Sequence, residues 1–306
     1  MAEKLELTVG RHTVELTHPD KVLFPGDGFT KRDLAQYYLE VGPHMLPHLR
    51  GRPLVLHRFP GGIDRPGFIQ QEAEDYFPEW VHPVTVPKVS GGTITHPMVE
   101  NVAALVYLAN LGTITIHSWL SRADRPREPD RLVFDLDPLD EDFGPVRAAA
   151  TLLRELLEKL GLPPFIMTTG SRGAHVVVPI ERGLDFDDVR AFADRVAGLL
   201  AESHPELVTT EDRVQKRAGR LYIDTRRNAY GQTAVAPYAV RARPGAPVAT
   251  PVEWSELDEP GFTSQRYNIR EVPARLAGKG DPWANLDRHP GDLEEARRRL
   301  DRLGRR

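Results

Sequence analysis

Polar and apolar side chains alternate along Thr113-Ile-Thr-Ile-His-Ser-Trp119, and a period of two predicts a strand. The same period at Leu5, Leu7 and Val9, resumed at Val14 and Leu16, predicts a hairpin turning at Gly10. Further strands are expected over Pro53–Phe59, Pro83–Val89, Gly92–Thr95, Arg131–Asp137, Phe165–Thr169, Ala174–Pro179, Leu221–Thr225 and Thr233–Val240, and a glycine-rich loop over Gly61–Gly67 leads to Phe68-Ile-Gln-Gln-Glu72. Spacings of three and four predict helices over Lys31–Val41, with Thr30 as N-cap and Gly42-Pro43 as stop, and over Asn101–Gly112. They also predict helices over Arg147–Leu160, Phe186–Ser203 and Leu293–Leu303. The stretch from Thr17 to Thr30 reads as a loop, and Pro and Gly are frequent from Pro244 onward. Strands and helices interleave, hairpins are common and no run of βαβ units dominates, so the expected class is α+β.

Composition narrows the chemistry. The 306 residues hold no cysteine, which excludes disulfides, thiolate catalysis and Cys-ligated metal. An apolar content of 40% and a charged content of 27% suit a water-soluble fold of one large domain or two lobes. No opening signal-like segment and no 18-residue apolar run is present, so a cytoplasmic protein without membrane contact is expected. A net charge of −4 means that any nucleic-acid partner must be met by a local basic concentration.

Such a concentration exists. Between Glu211 and Arg243, Arg213, Lys216, Arg217, Arg220, Arg226, Arg227, Arg241 and Arg243 outnumber Glu211, Asp212 and Asp224. Within Arg131-Leu-Val-Phe-Asp-Leu-Asp-Pro138, strand geometry points Asp135 and Asp137 to one side. Paired carboxylates suit a divalent cation with oxygen ligands, although a strand end with solvated acids has the same pattern. A third acid, Asp224, ends Leu221-Tyr-Ile-Asp224, where either metal ligation or an ion pair with Arg226 or Arg227 would satisfy it.

The segment Met167-Thr-Thr-Gly-Ser-Arg-Gly-Ala-His175 is strand, glycine turn, strand. Gly170 and Gly173 permit close backbone approach, and Ser171, Arg172 and His175 add donors suited to a phosphate chain. An ordinary hairpin would look the same. Arg241 and Arg243, two apart at a strand end, suit the oxygens of a triphosphate or simply face solvent. His117 closes an apolar strand, a place where histidines are usually structural. Taken together, the acids would serve two divalent ions, the donors a polyphosphate and the basic stretch a nucleic-acid strand.

The order HSW, DLDP, TTGSRGAH, IDTRRN, VAPYAVRARPGAPVATPVEW resembles the polymerase domain of bacterial ligase D, of the archaeo-eukaryotic primase superfamily, from about His12 to Leu286. The resemblance implies a single primase-polymerase domain over 1–306, its core built of mixed and antiparallel sheets flanked by helices. An N-terminal lobe of about 1–110 would carry DNA-end and template contacts, followed by a catalytic lobe of about 111–290 and a basic C-terminal helix of about 291–306. It implies template-directed addition of nucleotides, ribonucleotides preferred, at short gaps and DNA ends in non-homologous end joining or related repair. Two divalent ions are implied, Mn2+ foremost and Mg2+ as the substitute. Implied partners are gapped or broken DNA, nucleoside triphosphates, Ku and a DNA ligase, on the nucleoid.

By position, Asp135, Asp137 and Asp224 match the family's metal-binding acids, and His117, Thr169, Arg172, His175, Arg227, Arg241 and Arg243 its nucleotide contacts. Lys21 and Lys31 match its holders of the downstream 5′-phosphate, and Phe68 an aromatic that stacks on the template base. Ile69 and Gln71 stand where the family usually has a second aromatic and a lysine, and Ser171-Arg172 where it commonly has Gly-Lys. A two-metal nuclease would use the same acids, and an inactive DNA-end binding module would keep the basic surface. Polyphosphate donors are surplus to the first of these, and an intact acid set to the second.

Overall fold

Gly10, at a φ of 60°, supplies the left-handed turn between β1 (Lys4–Val9) and β2 (His12–Thr17). The computed structural model describes residues 4–303. Its chain divides into two units: residues 1–119, 235–250 and 267–281 form the first, and 120–234, 251–266 and 282–306 the second. The expected lobes were contiguous stretches, whereas these units interleave along the sequence.

In the first unit, β3 (Val22–Phe24) and β4 (Phe29–Thr30) form a short ladder where only a loop was expected. Thr30 caps α1 (Lys31–Leu49) in a reciprocal box with Asp33. The predicted stop at Gly42-Pro43 does not occur, and α1 runs on through Pro43 and Pro47. Packing overrides the local signal: a Cβ on Gly42 would stand 2.8 Å from Val102 Cγ1, so this glycine is what lets α1 lie close on α2 (Val102–Asn110). Burial of Tyr38, Val41, Met45 and Leu49 along α1 offsets the roughly 3 kcal/mol that a helical proline costs.

β5 (Leu54–Arg58), β6 (Phe68–Gln70) and β9 (Thr113–Trp119) join antiparallel in the order β9-β5-β6, and β7 (Pro83–Pro87) pairs with β8 (Thr93–Pro97) as a hairpin.

The second unit is a mixed six-stranded sheet. It contains β10 (Arg131–Asp137), β11 (Phe165–Thr168), β12 (Ala174–Pro179), β13 (Val208–Thr209) and β14 (Leu221–Asp224). After β15 (Thr233–Val235), where the predicted strand to Val240 ends early, β16 (Pro251–Val252) completes the order β13-β14-β10-β12-β11-β16. Only the β13–β14 pair is parallel. Leu132, Phe134 and Leu136 lie opposite Val178, Val176 and Ala174, and all six are fully buried. Helices α3 (Gly144–Lys159) and α4 (Phe186–Ser203) each bury a stripe at helical spacing, Val146, Ala149, Ala150, Leu153 and Leu157 in the first case.

Helix α5 (Glu271–Lys279), absent from the sequence reading, belongs to the first unit and packs on α1. There the Tyr37 hydroxyl donates to the Tyr238 carbonyl at 2.8 Å, and Asp281 accepts from the Tyr238 hydroxyl at 2.6 Å beside His48 at 3.0 Å. Helix α6 (Leu293–Leu303) buries Leu293, Ala296 and Leu300 in the second unit, and residues 304–306 of the expected C-terminal helix lie outside the described residues. Among the described residues no helix is long and apolar enough to cross a membrane.

Candidate active site

Asp135 is the Cα partner of Asp224 on one side and of His175 on the other. Directly opposed residues of antiparallel strands share a face, so Asp224, Asp135 and His175 form a row across β14, β10 and β12. Asp137, two residues along, projects from the same face opposite Tyr222. The three acids that sequence alone proposed therefore do lie on one side of one sheet.

Carboxylates this close repel unless cations stand among them. Asp135 meets His175 Nε2 at 3.4 Å and Arg227 Nε at 3.3 Å. Asp137 meets Arg217 Nη1 at 3.1 Å and Arg172 Nη2 at 3.5 Å. The Asp224 Oδ1 accepts from the Arg226 amide at 2.8 Å, its Nε at 3.1 Å and the Tyr222 hydroxyl at 3.2 Å. Burial alone would raise the Asp135 pKa, but His175 and Arg227 outweigh it and hold the carboxyl at about 2. Burial, followed by the Asp224 charge, pushes the Tyr222 phenol up to about 12.

The glycine turn is pinned against the acids. A Cβ on Gly173 would stand 1.9 Å from the Leu136 carbonyl oxygen, so only glycine fits between β10 and β12 there. Gly170 takes the left-handed region at a φ of 62°. The Gly173 carbonyl accepts from Thr169 Oγ1 at 3.1 Å and Ser264 Oγ at 2.6 Å, and Gln265 Nε2 donates to the Ser171 carbonyl at 2.9 Å. Arg172 also donates to the Leu139 carbonyl at 3.3 Å. His175 is buried, and its Nδ1 has no hydrogen-bond partner.

Sequence reasoning passed over Arg217, which lay undistinguished in the basic stretch. It also passed over Ser264 and Gln265, which support the turn from a distant segment and carry no local signal.

The remaining predicted residues belong to the first unit. His117 sits on β9 opposite Val55, half-buried. Arg241 and Arg243 do not follow directly on a strand as expected, because β15 stops at Val235. Val240 makes an isolated bridge to Val248, and the Arg243 amide donates to the Arg241 carbonyl at 2.8 Å within a turn. Burial, then the charge of Arg241, lowers the pKa of His57. Lys31 is 8% exposed, and its ammonium donates to the Thr17 carbonyl at 2.7 Å and Asn110 Oδ1 at 3.4 Å. Burial and then the neighbouring charge of Lys21 lower its pKa to about 8. Phe68, on edge strand β6, is exposed with the Arg58 guanidinium 5.2 Å from its ring centre.

A family model described as LigD, primase-polymerase domain, matches residues 30–283. The chain belongs to this family. As a LigD primase-polymerase domain it is a DNA-directed nucleotidyltransferase whose activity depends on metal. Over 283 residues it is 35% identical to the multifunctional non-homologous end joining DNA repair protein LigD of Mycobacterium tuberculosis, covering 90% of this chain and 37% of that protein. The LigD of Pseudomonas aeruginosa is 34% identical over 276 residues, 89% of this chain and 32% of its own length. The bifunctional LigD of Bacillus subtilis is 29% identical over 281 residues, 91% of this chain and 45% of its own. The chain thus spans a third to under half the length of these relatives. The solved polymerase domain of Mycobacterium tuberculosis ligase D in complex with DNA superposes with a TM-score of 0.85 at 33% identity, covering 91% of this chain and 99% of that one.

Among the described residues, no three His, Asp or Glu side chains converge as ligands of one ion, each acid being turned to its own arginine. The donor chemistry nonetheless fits: three hard carboxylates share one face of adjacent strands, and the Asp137 side chain is 38% exposed.

Proposed function

We propose that this chain is the polymerase of a DNA-break repair system, adding nucleotides, ribonucleotides by preference, to DNA ends and short gaps during non-homologous end joining. The observation that carries the reading is the row Asp224, Asp135 and His175, with Asp137 beside it, against a glycine turn whose Gly173 leaves no room for a Cβ. Asp135, Asp137 and Asp224 would hold two divalent ions, manganese or magnesium. Such ions acidify an attacking hydroxyl and steady a leaving pyrophosphate.

The chain's own residues do the positioning. Arg172, His175 and Arg227 meet the acids, and with Thr169 and Ser171 of the glycine turn they would supply donors for the phosphates of an incoming nucleotide. His117, Arg241 and Arg243 are proposed as nucleotide contacts, Lys21 and Lys31 as holders of a 5′-phosphate at the far side of a gap, and Phe68 as a stacking surface for the template. The DNA in the matched LigD polymerase structure supports DNA as the substrate. Manganese, the ribonucleotide preference and the partners Ku and a DNA ligase rest on the family likeness, as does work on the cytoplasmic nucleoid.

The test is extension of a primer facing a short gap, with ribo- or deoxynucleotides and with manganese or magnesium. Lengthening, faster with ribonucleotides, is expected. Shortening of the labelled strand would instead identify a nuclease, and binding of DNA without nucleotide or manganese uptake in calorimetry would identify an inactive end-binding module.

A further inference from the structure

Phe68 and Ile69 point to opposite sides of β6, because neighbouring side chains of a strand alternate. Phe68 shares its side with Arg58, its Cα partner on β5, while Ile69 faces the side of His57. The aliphatic Ile69 therefore leaves the surface around Phe68 untouched. That surface carries another exposed ring. Tyr76 is 58% exposed and Phe68 47% exposed, unusually open for such large side chains.

One guanidinium serves both rings. Arg58 lies 5.2 Å from the Phe68 ring centre, and its Nη1 stands 3.4 Å from the Tyr76 hydroxyl. The same nitrogen donates to Gln70 Oε1 at 2.7 Å, while Nε and Nη2 donate to the Leu111 carbonyl at 3.1 and 2.9 Å. Arg58 is thus held in place by uncharged partners. Tyr76 is braced from behind by Phe77, at 5.3 Å between ring centres, and Phe77 by Tyr107 at 5.8 Å. The result is two open rings on fixed supports, joined by a fixed cation.

We infer that Tyr76 is a second stacking residue, forming with Phe68 and Arg58 a platform for unpaired bases of a single-stranded DNA segment. Aromatic faces with an arginine between them suit bases, whose π-faces stack whatever their identity. Glu72, Glu74 and Asp75 beside Tyr76 repel phosphates, so the strand would present bases here and carry its backbone outward. The inference rests on the reading of this chain as a DNA-end polymerase and adds to it the residue that compensates on the Phe68 side for the ring missing at Ile69.

The test uses the whole chain with two duplexes of equal length, one blunt and one with a single-stranded tail carrying 2-aminopurine. Tyr76→Ala is expected to weaken binding of the tailed duplex by about 5- to 100-fold, to abolish quenching of the 2-aminopurine, and to leave blunt-duplex binding unchanged. Tyr76→Phe should keep both affinity and quenching, since the ring carries the contact. Circular dichroism confirms that the exposed substitutions leave the fold intact. If wild type and Tyr76→Ala bind and quench the tail alike, or if Tyr76→Phe loses as much as Tyr76→Ala, the platform is refuted and the polymerase reading stands. If the wild type binds neither duplex, both fall.

Discussion

Asp135 and Asp224 stand directly opposite each other on adjacent antiparallel strands, and each is met by a different arginine, Arg227 and Arg226. Two carboxylates would be placed in repulsion this way only if cations served them, and the arginines do so here. For the reaction, the acids rather than the arginines are expected to be indispensable. Asp137→Ala and Asp224→Asn should each lower incorporation on the order of 100-fold or more while leaving DNA binding nearly intact. Primer extension and anisotropy on the same variants check this, and extension retained in manganese would contradict it. Because the Arg226 side chain is 51% exposed, its loss of partner should alter stability by under about 1 kcal/mol.

Acid stability follows from Asp135. Its carboxyl is held at about 2 against an ordinary 3.8, with burial opposing and His175 and Arg227 prevailing. A lowered folded pKa stabilises the protein above the unfolded value, and that contribution disappears as pH falls from about 4 to about 2. It amounts to about 2 kcal/mol. Urea unfolding at pH 5 and pH 3 should show a stability loss for wild type that is smaller in Asp135→Asn. An identical loss in both would remove Asp135 as its source.

Where pattern and packing agree, the chain was readable: Thr113–Trp119, Ala174–Pro179 and Phe186–Ser203 are elements with the bounds their periodicity predicts. Local signals failed where a distant contact outweighed them. Gly42-Pro43 reads as a helix stop, but Val102 packs where a side chain on Gly42 would be, and the helix continues. Arg241 and Arg243 read as a strand end because Thr233–Val240 is apolar, whereas the strand stops at Val235 and the two arginines lie in a turn. The acid row was legible because spacing of two fixes a face. The partners Arg217, Ser264 and Gln265 were not, since nothing in their own neighbourhoods sets them apart.

Gly173 gives the sharpest test of the turn. A methyl there would overlap the Leu136 carbonyl oxygen at 1.9 Å, a backbone atom that cannot swing aside. Gly173→Ala should therefore push β12 away from β10, costing about 3 kcal/mol or more and displacing His175 from Asp135. Gly170→Asn, at a φ of 62°, should cost roughly 1 kcal/mol, because asparagine tolerates the left-handed region. Thermal unfolding of the pair decides, and comparable losses would mean that the approach to Leu136 is not what demands glycine.

The proposed gap-phosphate role of Lys31 predicts a pH window. Its pKa is lowered from 10.5 to about 8 by burial and then by Lys21, and its contacts, the Thr17 carbonyl and Asn110, bring no compensating charge. A phosphate placed beside both lysines would favour their charged forms. Preference for a 5′-phosphorylated gap over an unphosphorylated one should be full near pH 7 and weaken by up to about tenfold per unit as pH rises above about 8. Unfolding cannot mimic this effect through the same group. Between about 8 and 10.5 the unfolded chain holds the proton that the folded chain has lost, so this lysine makes the fold more stable as pH rises. Lys31→Met should remove the preference at pH 7 and flatten its pH dependence. Anisotropy titrations of both gaps at pH 7 and pH 9 provide the measurement, and a preference that is equal at the two pH values in the wild type would take Lys31 out of phosphate recognition.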